Sequence, residues 1–130
     1  MKRNGFTIIE LIVVIAVIAV LATIVSVSVK VYITKGKDSA IKENLNSLTT
    51  NSLIYLESHG NYGAFCNDEA VLRVEDKMNP DNSYCHHSDT QWVFCSRLYE
   101  NSSKAWCIDS TGAKKQINDS ACKNGLSLCP

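Results

Sequence analysis

One carboxylate, Glu10, opens a stretch that carries no further charge until Lys30. From Leu11 to Ala22 every residue is apolar, and Leu11 to Val29 gives nineteen uncharged positions broken only by Thr23, Ser26 and Ser28. As a helix rising about 1.5 Å per residue, this run matches the roughly 30 Å hydrocarbon thickness of a bilayer. An ionised carboxylate at the edge of such a segment costs on the order of 3 kcal/mol or less, depending on depth. Glu10 therefore calls for a cation, or for a place at the membrane edge where it reaches headgroup water.

A secretory signal is cut after its apolar run, at small residues. Here the candidate junction precedes the run: Lys2-Arg3-Asn4-Gly5 is a short basic leader, and Gly5-Phe6 meets the apolar segment directly. The sequence Gly5-Phe6-Thr7-Ile8-Ile9-Glu10-Leu11-Ile12 resembles the start of type IV pilins and pseudopilins, with their class III, prepilin-type signal. The resemblance implies that a prepilin peptidase cuts after Gly5 on the cytoplasmic side and methylates the new amino terminus on Phe6. It also implies a partner for Glu10. In the family the equivalent glutamate meets the positive amino terminus of a neighbouring subunit during filament assembly, in water-poor surroundings where attraction is strong. Gly5 and Phe6 thus take the processing role, and Glu10 with Phe6 the assembly and register role. One departure stands out: many pilins carry a helix-kinking proline in the apolar segment, whereas the first proline here is Pro80, so no kink is expected. Gly36 is the weaker point, since glycine costs roughly 1 kcal/mol relative to alanine inside a helix.

With 130 residues, 45% of them apolar, the chain reads as one domain plus an anchor. The expected organisation is a leader at 1–5, a membrane or filament-core helix at 6–29, an amphipathic continuation at 30–59 and a β-rich domain at 60–130. Loss of Lys2 and Arg3 leaves eleven basic against thirteen acidic side chains. Lysines flank both ends of the apolar run, so charge bias does not set orientation. The cysteines and the resemblance place the precursor in the inner membrane with its amino terminus inside, and the assembled subunit in a cell-surface filament.

Beyond Lys37, Ile41, Leu45, Leu48, Ser52 and Tyr55 recur at helical spacing, with Leu53 and Leu56 widening the stripe. Gly60 suits the left-handed position past a helix end, so one helix is expected from about Phe6 to Ser58. Strands are expected at Gln91 to Leu98, at Lys104 to Ile108 and around Lys114 to Ile117, the last two joined by the turn Asp109-Ser110-Thr111-Gly112. Ala70 to Val74 fits a short strand or a helical turn, and Met78 to Ser83 reads as loop. The fold class is α+β: a long amino-terminal helix packed against a small antiparallel sheet, stapled by disulfides, an arrangement that pilins resemble.

Cys66, Cys85, Cys95, Cys107, Cys122 and Cys129 all lie after the helical region, an even set that reads as disulfides in an oxidising compartment. In so small a domain each bridge contributes roughly 2 to 4 kcal/mol. Six cysteines allow fifteen pairings. The reading adopted is Cys66–Cys85, Cys95–Cys107 across neighbouring strands, and Cys122–Cys129 closing a carboxy-terminal loop. The competing zinc reading of Cys85-His86-His87 lacks a Cys-x-x-Cys partner, and adjacent side chains converge poorly on one tetrahedral ion.

No metalloprotease helix, nucleophile elbow or phosphate-cradling glycine loop occurs, so neither an enzyme nor a cofactor is expected. Residues 60–130 carry seven basic and nine acidic side chains and no basic-aromatic stripe, which disfavours a nucleic-acid surface. Asn101-Ser102-Ser103 and Asn118-Asp119-Ser120 match the glycosylation acceptor pattern but read as ordinary polar loops. Lys30, Lys35, Lys37 and Lys42 read as a solvated face, with headgroups or a neighbour's acidic groups as the alternative. The resemblance implies a structural subunit of a type IV pilus, a homo-polymer supporting adhesion, twitching motility or DNA uptake. Its partners are then the prepilin peptidase, the inner-membrane assembly machinery and the membrane. A type II secretion pseudopilin or a minor pilin is the alternative within the family. From another class, a membrane-anchored extracellular binding domain that never polymerises fits the same anchor.

Overall fold

The computed structural model describes residues 5–78 and 80–130. The leader residues Met1 to Asn4 lie outside the described residues. Helix α1 runs Ile8–His59, with Gly36 inside it and no break in the helical assignment. The chain divides into two compact units, Met1–Thr34 and Lys35–Pro130.

The first unit is the apolar half of α1. Its described large side chains from Ile8 to Ile33 are all exposed. The segment is long and apolar enough to cross a membrane. β-branched residues crowd it, but a backbone that satisfies its own hydrogen bonds outweighs their low helix propensity once water is absent. Thr23 and Ser26 follow the same rule, donating their hydroxyls to the Val20 and Ala22 carbonyls at 2.7 and 2.8 Å.

The second unit is an α+β domain with a four-stranded antiparallel sheet in the order β1-β2-β3-β4: β1 Ser83–His87, β2 Trp92–Arg97, β3 Lys104–Asp109 and β4 Lys114–Asn118. On one face lie the second half of α1 and α2 (Glu69–Lys77). Ile41, Leu45 and Leu48 of α1 pack there with Phe65, Val71, Val74, Met78, Trp92, Phe94, Leu98 and Ile108, each 6% exposed or less. Fully burying a side chain of this kind stabilises by about 1.5 to 3 kcal/mol, so this face carries most of the core. Ser52 and Tyr55 continue the stripe, but Leu53 and Ile54 are 62% and 58% exposed, so Leu53 does not widen it as expected. The stripe instead extends back one turn to Asp38, which is buried.

The other sheet face is also covered. Val93, Cys95, Ala105, Cys107 and Ile117 pack under α3 (Asp119–Lys123) and the tail, through Cys122, Leu126 and Cys129. This explains why β2 is buried on both faces rather than alternating with solvent.

α1 ends as the sequence implies. Gly60 takes φ 76° and donates its N–H to the Leu56 carbonyl at 2.7 Å. Gly112, at φ 87°, closes the β3–β4 turn. Ala70 to Val74 falls within α2, whose N-cap Asp68 accepts from the Ala70 N–H at 2.9 Å. Two elements differ from expectation. β1 occupies Ser83–His87, where Ser83 had read as loop, and α3 was not anticipated. β1 is an edge strand of mostly half-buried polar residues, and such edges lack the apolar alternation that marks central strands.

Candidate assembly site at the start of the apolar helix

Gly5, Phe6 and Thr7 precede α1 in non-helical, exposed backbone. A Cβ added at Gly5 would meet nothing within 4 Å. Phe6 is 78% exposed.

Thr7 is the N-cap and Glu10 the third helical residue, and the two form a capping box. The Glu10 N–H donates to Thr7 Oγ1 at 3.4 Å, while Glu10 Oε2 accepts from the Thr7 N–H at 2.9 Å and from its hydroxyl at 2.8 Å. Leu11 N–H donates to the Thr7 carbonyl at 3.3 Å and closes the first turn. The box satisfies helix-end donors that would otherwise stand bare, and the positive end of the helix dipole favours the carboxylate there. Glu10 is therefore not a naked charge in the isolated chain. Both side-chain bonds converge on Oε2, and among the described residues Oε1 accepts none.

All six cysteines are bridged, one pair as the sequence reading had it and the other four cysteines in a different pairing. Cys66–Cys85 forms, tying the 3-10 turn at Phe65–Asn67 to β1. The expected Cys95–Cys107 and Cys122–Cys129 bridges do not; the structure has Cys95–Cys122 and Cys107–Cys129. Cys95 and Cys107 do sit opposite each other on β2 and β3. Their shared face, however, is roofed by α3 and the tail, so each sulfur turns to a cysteine there instead of to the other. Cys85 is spent in its bridge, and among the described residues no three His, Cys, Asp or Glu side chains come together as metal ligands.

Sequence reasoning missed Thr7, Asp38 and Asp109. Thr7-x-x-Glu10 is a readable capping-box signature that the charge argument overshadowed. Asp38 accepts from the Tyr99 and Glu100 N–H groups at 2.6 and 3.0 Å, pinning the β2–β3 connection to α1. Asp109 is 2% exposed. Its Oδ1 accepts from the Thr111 N–H at 2.9 Å and hydroxyl at 2.5 Å and from the Ala113 N–H at 3.3 Å, and its Oδ2 from the Cys129 N–H at 2.9 Å. Burial pushes the Asp109 carboxyl up, but the Thr111 hydroxyl and the Cys129, Thr111 and Ala113 amides outweigh it and hold the group below the usual aspartate range. Lys37 and Lys42 lie over the Tyr99 and Trp106 rings, each 4.9 Å from the centroid, so these two lysines are docked rather than simply solvated.

An exposed apolar helix with a carboxylate in its first turn, followed by a disulfide-stapled α+β domain, defines a pilin-like architecture. Residues 1–26 match the family model for the prokaryotic N-terminal methylation motif, the class III signal of type IV pilins and pseudopilins. No curated protein and no solved structure matches the chain.

Proposed function

We propose that this chain is the structural subunit of a type IV pilus. It enters the inner membrane, is cut after Gly5 and methylated on Phe6, and polymerises through its apolar helix. The observation that carries this reading is the methylation motif over residues 1–26 at the head of a helix whose apolar half is exposed at its described large side chains. That surface is soluble only in lipid or against copies of itself. Repeating one non-closing contact along an axis gives an open filament.

Glu10 supplies register. Thr7 holds Oε2, which leaves Oε1 for the amine of an adjoining copy's Phe6. A subunit added out of register keeps its carboxylate unpaired among apolar side chains, at a cost of several kcal/mol, on the order of a broken buried pair. The chain has no catalytic role; its work is mechanical, and adhesion, twitching motility or DNA uptake are the uses such a fibre serves.

Electron microscopy of material sheared from the cell surface tests this. Abundant fibres composed of this chain support the pilus. Short membrane-bound assemblies formed only with secretion components point to a pseudopilin, and a monomer held in the membrane points to an anchored binding domain.

A further inference from the structure

Cys95 and Cys107 are Cα partners on adjacent antiparallel strands, yet each is bonded elsewhere. The Leu98 N–H donates to the Lys104 carbonyl and the Ser110 N–H to the Trp92 carbonyl, which marks positions 98/104 and 92/110 as hydrogen-bonded pairs. Counting inward, Cys95 opposite Cys107 falls at a non-hydrogen-bonded pair, where Cα atoms lie about 4.5 Å apart, inside the disulfide range of roughly 4.4 to 6.8 Å. Hairpin closure alone thus brings these two thiols together on one face. Their native partners arrive only when α3 and the tail dock. Cys85 is no rival within the formed sheet, because it opposes Phe94 and packs with the helix-side core.

Chain length points the same way. Cys95 and Cys107 are twelve residues apart, and Cys122 and Cys129 seven, whereas the native bridges span 27 and 22. If ring closure scales as the −3/2 power of loop length, the two short bridges together are favoured over the two native ones by roughly 20-fold in the unfolded chain.

We propose that oxidative folding passes through a Cys95–Cys107 bond, and that this chain is a substrate of a thiol–disulfide isomerase. In the first step the two hairpin thiols give two electrons and two protons to an external disulfide such as oxidised glutathione, which leaves as two thiols. When the tail docks, the Cys122 thiolate attacks Cys95 Sγ; the Cys95–Cys107 bond breaks, Cys95–Cys122 forms and Cys107 leaves as thiolate. A second equivalent of external disulfide then joins Cys107 to Cys129. If Cys122 and Cys129 oxidise together first, no free thiol remains among these four cysteines. An isomerase thiolate must then open Cys122–Cys129 as a mixed disulfide at Cys122, freeing Cys129 to attack Cys107 Sγ. The Cys95 thiolate so released displaces the isomerase from Cys122, and the cycle is redox-neutral.

The test is a refolding time course of the full-length reduced chain in detergent with glutathione buffer, quenched by alkylation and mapped by mass spectrometry. Cys95–Cys107 peptides should lead among bonds to these four cysteines and decay as Cys95–Cys122 rises, and a disulfide isomerase should speed that decay at least tenfold. Native bridges forming first, without Cys95–Cys107, would overturn the proposal, and an unchanged decay rate would remove the isomerase. As an independent check, the Cys122→Ser/Cys129→Ser variant should carry a Cys95–Cys107 bond. Free thiols at both positions beside an intact Cys66–Cys85 bridge count against it.

Discussion

At the scale of single residues, three carboxylates are each held by backbone amides, and each makes a separable prediction. Glu10 serves a local cap and, in the proposed filament, a distant charge. Glu10→Gln keeps a capping-box acceptor but loses the charge, so it should insert in the membrane with a normal helix start yet give few fibres; wild-type piliation by this variant would rule out charge pairing. Thr7→Ala removes the cap and should weaken the helix end by about 0.5 to 2 kcal/mol, read as faster amide exchange over the first turn. Asp38→Ala leaves the Tyr99 and Glu100 amides without their acceptor and should destabilise the domain by about 1 to 3 kcal/mol in denaturant melts. Asp109 has a depressed folded-state pKa, so its contribution is present above the unfolded value near 4 and fades as pH falls through the folded one. Asp109→Asn should therefore lower the melting temperature at neutral pH, with the difference from wild type shrinking in acid. A constant difference across pH would mean that ionisation is not what matters.

At the scale of elements, the carboxy-terminal segment is the part whose place depends most on covalent bonds. α3 has five residues, and its N-cap Asn118 makes no side-chain capping bond. The helix is held instead by the Cys95–Cys122 disulfide and the Arg97–Asp119 ion pair at 3.0 Å, and the tail beyond it by the Cys107–Cys129 disulfide and the Asp109–Cys129 contact. Removing the Cys95–Cys122 bridge by paired serines should cost about 2 to 4 kcal/mol and expose Val93, Ala105 and Ile117, seen as protease sensitivity of the tail before the sheet unfolds. α1 and α2 have no such dependence, because they bury a contiguous apolar stripe against the sheet.

At the scale of the whole molecule, the exposed apolar half of α1 and the compact second unit ask for different surroundings. Mass spectrometry of the mature protein should find Phe6 at the amino terminus, one methyl group heavier than the unmodified chain. Replacing Gly5 with a bulkier residue should leave the leader attached and abolish fibres while the disulfide-stapled domain still folds, because Gly5 lies outside that unit.

The anchor, the processing signal, the α1 stripe, the Gly60 stop and three of the four strands were legible in the sequence, because each rests on local periodicity or on a short linear motif. β1, α3 and the disulfide partners were not. A polar edge strand and a five-residue helix carry almost no pattern of their own, and they exist because neighbours and bridges hold them. The cysteine pairing shows the division most sharply. Sequence proximity and strand register both point from Cys95 to Cys107, and only the docking of the tail over that sheet face redirects each sulfur to its final partner.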